Sequence, residues 1–333
     1  MSDNSSTIWN TTAPDSPSAV QKWMSFSALI AMEACPRRWA LSKAAYPKVW
    51  DGFGYPPNPT VAALAGQIVH RCVERVIKMV ISSGVESIDD AAFVQVMRRE
   101  GGYLAIIERE IQLLNDELAT NPRLSYRRSD LKSGLTARME MLRESIQLFL
   151  SDLELPPVTV RGGSMKLASA GRGLGNGHYP EVELRSELLG WYGKVDHLKV
   201  LGDGCEIVDF KTGAEKPEHE FQMNIYDLLW NHDRERNPGS LPVKKKTLMY
   251  ANRSVDVPPL SSKGLEAFAE LISNRSKDAV AGVSVSVTTA NLSVSNCGFC
   301  SVRQLCDSYW DQSAQKRLWE DQSMETIASP KAN

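Results

Sequence analysis

The sequence predicts a mixed α/β (α+β) fold: a central sheet enclosed by helices, with a helical insertion ahead of the sheet. Three observations carry this reading. Apolar residues recur at helical spacing through most of the first half of the chain. Between about residues 157 and 213 the pattern changes to short β-rich runs broken by Gly and Asp-Gly. Helical periodicity then returns around one further strand, the order expected of a sheet packed between helices.

The opening MSDNSSTIWNTTAPDSPSAV (1–20) is rich in Ser, Thr, Asn and Pro and is expected to be a disordered tail. Residues 25–45 read as a helix, capped by Ser25 or Ser27, with Phe26, Leu29, Ile30 and Ala34 as its apolar face. Pro59 to about Ser83 is strongly helical, and further helices are expected near 88–119 and 130–153. In the last of these Leu135, Met139, Leu142, Ile146 and Phe149 recur at spacings of 4, 3, 4 and 3. PVTV, EVELRSELL, WYGKVDHLKVL and CEIVDFKTG read as strands, and the Asp-Gly in LGDGCEIV folds two of them into a hairpin. A helix from about Glu218 to Asp233, a strand at KKTLMYANR and a helix from Lys263 to Asp278 follow. These elements are expected to form one domain over 21–316, with a helical arm at about 85–155 and a loose tail at 317–333.

Composition narrows the function classes. Hydrophobic residues make up 42% and charged residues 23% of the 333, as in soluble globular chains. No apolar run approaches the roughly 18–20 residues that span a bilayer, and the polar opening has no signal-peptide pattern. No membrane association is expected, and a cytoplasmic location is. Thiols stay reduced there, so clustered cysteines point to a metal more than to disulfides. Net charge is −2, which gives no bulk attraction for nucleic acid but leaves room for a local basic groove.

Chemistry concentrates at a few places. GRGLGNG (Gly171 to Gly177) has the glycine density of a phosphate loop, but Pro180 follows it instead of a helix, so it reads as a plain loop. NCGFCSVRQLC holds Cys297, Cys300 and Cys306; thiolate metal sites usually take four ligands, so a fourth is wanted. In IVDFKTG, strand alternation puts Asp209 and Lys211 on one face and Phe210 on the other. Alone, that pair reads as a salt bridge. The Asp-Gly turn also brings Asp196 of the preceding strand within reach of Asp209, and two close carboxylates repel unless a proton or cation lies between them. A hard divalent ion suits such oxygen ligands, and a neighbouring lysine can stabilise developing negative charge or orient a water. These are the parts of metal-assisted phosphodiester hydrolysis. Gly66 and His70 lie four apart on a helix, as do Gln222 and Tyr226; a lone helical His is more often structural, and many amphipathic helices carry such a pair.

In order, Cys35-Pro36-Arg37-Arg38, Gly66-x-x-x-His70, Asp196, Asp209-Phe210-Lys211, Gln222-x-x-x-Tyr226 and Cys297-x2-Cys300-x5-Cys306 resemble the RecB-like branch of the PD-(D/E)XK nucleases. Within it the chain is similar to the iron–sulfur members, such as the AddB-type nuclease domain and the CRISPR-associated adaptation nucleases, over roughly residues 25–310. The resemblance implies a restriction-endonuclease-like mixed sheet and a Mg2+- or Mn2+-dependent DNA nuclease, acting on single strands or ends. Asp196 and Asp209, joined by His70 and the Phe210 carbonyl, would hold the catalytic metal, and Lys211 would position the water. Gln222 and Tyr226 would line the site and contact DNA, with Glu183 in support. Cys35 would be the fourth ligand of a [4Fe–4S] cluster, a staple that includes residues 295–310; Cys72 and Cys205 read as buried apolar residues. Val195 stands where the family often has Pro. No GxxxxGK[ST] motif occurs, so any unwinding falls to a separate helicase.

The stretch Asn121 to Arg138 mixes Arg123, Arg127, Arg128, Lys132 and Arg138 with Tyr126, and reads either as a backbone-binding surface or as a solvated connection. Two rivals of other classes stand beside the nuclease. A non-catalytic DNA-binding scaffold would have no need of Asp196, Asp209 and Lys211 together. A zinc-ribbon protein fits the distant Cys35 and the x5 spacing poorly.

Overall fold

The computed structural model describes residues 23–85, 91–151, 173–283 and 288–311. The expected tails and the PVTV run lie outside them. In chain order the elements are α1 (Phe26–Ala34), α2 (Pro36–Lys43), α3 (Val61–Ser83), α4 (Ala91–Arg99), α5 (Gly102–Glu117), α6 (Arg128–Thr136) and α7 (Met139–Ser151). Then come β1 (Gly177–Ser186), β2 (Trp191–Leu201), β3 (Gly204–Lys211), α8 (Pro217–His232), β4 (Val243–Tyr250), β5 (Arg253–Val257), α9 (Ser262–Val283), α10 (Val294–Gly298) and α11 (Asp307–Trp310).

The chain divides into two compact units. The first comprises the residues up to Asn58, Asn121–Arg123 and those from Ile272 onward; the second comprises Pro59–Thr120 and Leu124–Leu271. In the first unit, the single helix expected over 25–45 is two. Cys35 between them is extended, with φ −164° and ψ 100°. Pro36 is the cause: it disfavours helical geometry in the residue before it, and its missing N–H suits the first position of a new helix. Ser25 accepts from the Ala28 N–H and caps α1, while the Cys35 thiol accepts from the Arg38 N–H at 3.4 Å and caps α2.

The second unit holds a five-stranded sheet in the order β1-β2-β3-β4-β5. β1, β2 and β3 are antiparallel neighbours, β3 and β4 are parallel, and β4 and β5 are antiparallel. The parallel pair requires a crossover, and α8 supplies it. β5 is an addition to the sequence reading; its residues RSVDV are mostly exposed, so it lacks the apolar alternation that marks a strand. The helix expected over 88–119 is interrupted at Gly101-Gly102 to give α4 and α5.

Why α3 lies where it does follows from its sequence. Thr60 caps it, and Leu64, Ile68, Cys72, Val76 and Ile77 form one buried stripe. The stripe packs with Ile107, Leu142, Ile146 and Phe149 of the arm helices and with Phe210 and Met249 of the sheet in one core. Full burial of each such side chain is worth about 1.5–3 kcal/mol. Gly66 lets α3 come close to the end of β3: a Cβ there would sit 2.8 Å from Thr212 Oγ1. α8 packs on β1 to β4. It is pinned by Lys246 of β4, wholly buried, whose ammonium lies 3.1 Å from Asp227 Oδ2 and donates to Asn224 at 2.6 Å. Removing either charge of such a buried pair costs about 3–5 kcal/mol. The result is a mixed α/β fold with a helix-flanked sheet, as the sequence predicts.

Candidate active site

Strand alternation sorts the DFK triplet. Phe210 points into the helical core, its ring 5.2 Å from that of Phe149. Asp209 and Lys211 point the other way, with the Lys211 ammonium 2.5 Å from Asp209 Oδ2. Asp209 is 2% exposed. Although in ionic contact with Lys211, its buried Oδ2 lacks a directed hydrogen bond. Burial first, and then the Asp196 charge, push the Asp209 pKa up to about 7 against the pull of Lys211.

Asp196 lies where β2 and β3 part, one residue beyond the last paired position, His197 with Val208. Its Oδ2 accepts from the Phe210 N–H at 2.7 Å, and its Oδ1 lies 3.2 Å from Nδ1 of His70 on α3. Burial alone would lower the His70 pKa; the Asp196 hydrogen bond and charge overcome it and raise it. The sequence-chosen residues His70, Asp196, Asp209 and Lys211 thus share one neighbourhood, near enough for His70 and Asp196 to act electrostatically on Asp209.

A further acid joins them. Donor atoms of His70, Glu181 and Asp196 lie within 4.8 Å of one another, the one set of three possible ligands so placed among the described residues. Glu183, the acid picked out from the sequence, is paired instead with Arg185. Glu181 sits in β1 between Pro180 and Val182, which pair with His197 and Val195, so it lies opposite Asp196. Counting back through the β1–β2 hairpin from Asp196 finds it. Its backbone has φ 57°, in the left-handed region that a glutamate enters only at a cost of about 1–3 kcal/mol. Burial raises its pKa, opposed by an ion pair with Lys194.

Behind the acids runs a chain of hydrogen bonds. Lys211 donates to Gln222 Oε1 at 2.7 Å, Gln222 Nε2 to the Tyr226 hydroxyl at 2.6 Å, and Tyr226 to the Lys194 carbonyl at 2.8 Å. Gly193 makes room for this: a Cβ there would lie 2.9 Å from the Tyr226 ring. Tyr226 is 4% exposed. Burial, with the Asp209 and Asp196 charges, holds its pKa well above the usual value, so it stays a donor. It supports Gln222 and Lys211 from behind, and does not itself present a surface to a ligand.

In the first unit, Cys35, Cys297, Cys300 and Cys306 line one pocket together with Arg38, Asn296 and Arg303. Two contacts tie their segments: Asn296 donates to the Ala34 carbonyl at 3.1 Å, and the Arg37 N–H to that of Thr289 at 3.0 Å. All four thiols are free. Burial raises the pKa values of Cys300 and Cys306. Cys72 and Cys205 are fully buried elsewhere, and burial pushes the Cys72 thiol up to about 12. Of the basic stretch on the arm, Arg123 is spent on the Ser301 and Pro56 carbonyls, Lys132 on Gln112 and Arg138 on the Gly134 carbonyl. Gly173 to Gly175 precede a strand, not a helix.

The family model of the PD-(D/E)XK nuclease superfamily matches residues 23–307. The chain belongs to the PD-(D/E)XK nuclease superfamily. The acids and lysine described above lie within the matched span. No curated protein matches significantly. Twelve chains of solved structures do. One, from the crystal structure of SSO0001, is 17% identical with a TM-score of 0.25, over 40% of this PD-(D/E)XK chain and 61% of its own length. Among the described residues no helix is long and apolar enough to cross a membrane.

Proposed function

We propose that this chain is a Mg2+- or Mn2+-dependent deoxyribonuclease of the RecB-like branch, an exonuclease on single-stranded DNA or DNA ends in repair, recombination or defence. The observation that carries the reading is the meeting of His70, Glu181 and Asp196 beside the buried Asp209–Lys211 pair. The donor set fits a hard cation: the trio supplies one imidazole nitrogen and two carboxylates, and Asp209 adds a buried carboxylate beside the Lys211 ammonium. His70, Glu181, Asp196, Asp209 and the Phe210 carbonyl would hold the ion. When bound, it supplies Lewis-acid polarisation of the phosphate and a more acidic water.

The chain's own residues do the rest. Lys211, fixed by Asp209 and Gln222, orients the attacking water and offsets charge on the phosphate in the transition state. Tyr226 and Gln222 hold Lys211 to one position, which saves reorganisation when the substrate arrives. Unwinding of duplex DNA falls to a separate helicase, and a cytoplasmic setting, where thiols stay reduced, suits cysteines clustered for a metal.

The reading includes a [4Fe–4S] cluster on Cys35, Cys297, Cys300 and Cys306. What supports the cluster is that the four cysteines, one from residue 35 and three from 297–306, line one pocket. One tetrahedral zinc would hold its sulfurs about 3.8 Å apart, whereas a cubane, with each thiolate on a different iron, would spread them to about 6 Å.

The test is an assay on end-labelled single- and double-stranded DNA, with Mg2+ or Mn2+ against a chelator. Divalent-dependent cleavage that vanishes in Lys211→Ala is expected. Full activity of a folded Lys211→Ala protein would end the assignment.

A further inference from the structure

The first unit exposes a particular kind of apolar surface. Its large exposed hydrophobic side chains, among the described residues, are all aromatic: Phe53 at 66%, Phe299 at 89% and Trp310 at 58%. In the second unit the exposed set is aliphatic apart from Tyr126. A surface for an apolar protein partner has no reason to exclude Leu, Ile and Val, whereas one for flat rings does.

The rings come with cations. Lys43 lies 5.6 Å from the Phe53 ring centre, and Arg303 lies 5.3 Å from that of Tyr309, which stands edge-on to Trp310. Arg303 is also anchored to the Cys297 carbonyl at 3.4 Å. Phe299 stands between Cys297 and Cys300 in sequence, its N–H donating to the same Cys297 carbonyl that anchors Arg303, and the segment is joined to the loop that carries Phe53 by Gln304 donating to the Tyr55 hydroxyl at 3.0 Å. The loop has a packed base: Val302 and Cys306 are buried with Leu41, Tyr46 and Tyr55 in one small core. The packed base fixes the backbone beneath the ring, so binding a flat ligand has only the ring's own torsions to order.

We propose that Phe299, with Arg303 beside it, is a stacking platform for an unpaired nucleobase of single-stranded DNA. The ring offers its face to a base of any identity, and Arg303 offers charge to the adjoining phosphate. This rests on the nuclease reading and adds a second place at which the substrate is held.

The test is binding of a single-stranded oligonucleotide carrying 2-aminopurine, measured with Ca2+ in place of Mg2+ on the full-length protein. Phe299→Ala should bind roughly ten-fold more weakly, as loss of one base–aromatic stack requires, and should lose the quenching of 2-aminopurine. Phe299→Trp should keep both. Phe299→Leu should resemble Phe299→Ala; if it binds as wild type, the contact is apolar and not stacking, and the proposal falls. Hydrolysis of bis(4-nitrophenyl) phosphate, which has no base, should be equal in wild type and Phe299→Ala, and so should the visible spectrum. Wild-type affinity and quenching in Phe299→Ala would overturn the platform alone. A wild-type protein that neither binds nor cuts DNA would overturn the nuclease reading and the platform with it.

Discussion

Asp209 should weaken the very fold it equips for chemistry. Its pKa is raised from 3.8 to about 7. Between those values the unfolded chain has lost this proton and the folded protein still holds it. Folded protein therefore binds more protons, and stability must fall as pH rises through that window. The rise corresponds to about 4 kcal/mol, an order-of-magnitude figure for a fully buried carboxyl. Asp209→Asn keeps the shape and carries no charge. Without divalent ions the variant should match wild type near pH 4 and exceed it by a few kcal/mol near pH 8. Urea unfolding followed by tryptophan fluorescence at both pH values measures this. Mg2+ or Mn2+ at pH 8 should restore stability to wild type and stabilise Asp209→Asn less, because the variant keeps His70, Glu181 and Asp196 but lacks the charge at position 209 that the ion neutralises. An Asp209→Asn protein less stable than wild type at pH 8 without metal would refute the reasoning, since the carboxylate would then be well paired rather than confined.

Tyr226→Phe removes the donor to the Lys194 carbonyl and the acceptor of Gln222; a loss of about 1–3 kcal/mol in thermal or urea unfolding is expected, together with slower cleavage as Gln222 and Lys211 lose their fixed positions. Cys35→Ser should yield protein without broad visible absorption and with a lower melting temperature, since Cys35 lines one pocket with the other three thiols while a serine still caps α2; a colourless but fully stable wild type would dismiss the cluster and leave the carboxylate chemistry standing.

Much of this was legible in the sequence because local rules and tertiary needs agree there. The Asp-Gly turn fixes the β2–β3 hairpin, and alternation along β3 then separates Phe210 from Asp209 and Lys211. Gly66 and His70 share a face of α3 because four residues are about one turn. What was missed depends on register or on competition. Glu181 and Glu183 share a strand face, and only the pairing of Pro180 and Val182 with His197 and Val195 tells which lies opposite Asp196. The break at Cys35 was overridden by the apolar spacing on either side, although Pro36 encodes it. The resemblance has Tyr226 lining the site and contacting DNA; its burial comes from Gly193, far away in sequence, which admits the ring.

The four-thiol pocket draws one ligand from residue 35 and three from residues 297–306, and this spacing has a consequence in time. On a ribosome adding about 5–20 residues per second, Cys35 emerges roughly 13–50 s before Cys297. The second unit, almost continuous from Pro59 to Leu271, is complete before the last three thiols exist. Folding of the sheet and arm therefore precedes closure of the pocket during synthesis, and the first thiol waits alone through that interval. The proposed cluster would then reach a chain whose second unit is already made. Starving cells of iron should then yield protein with a formed sheet and an open first unit, rather than chains arrested at the start of folding.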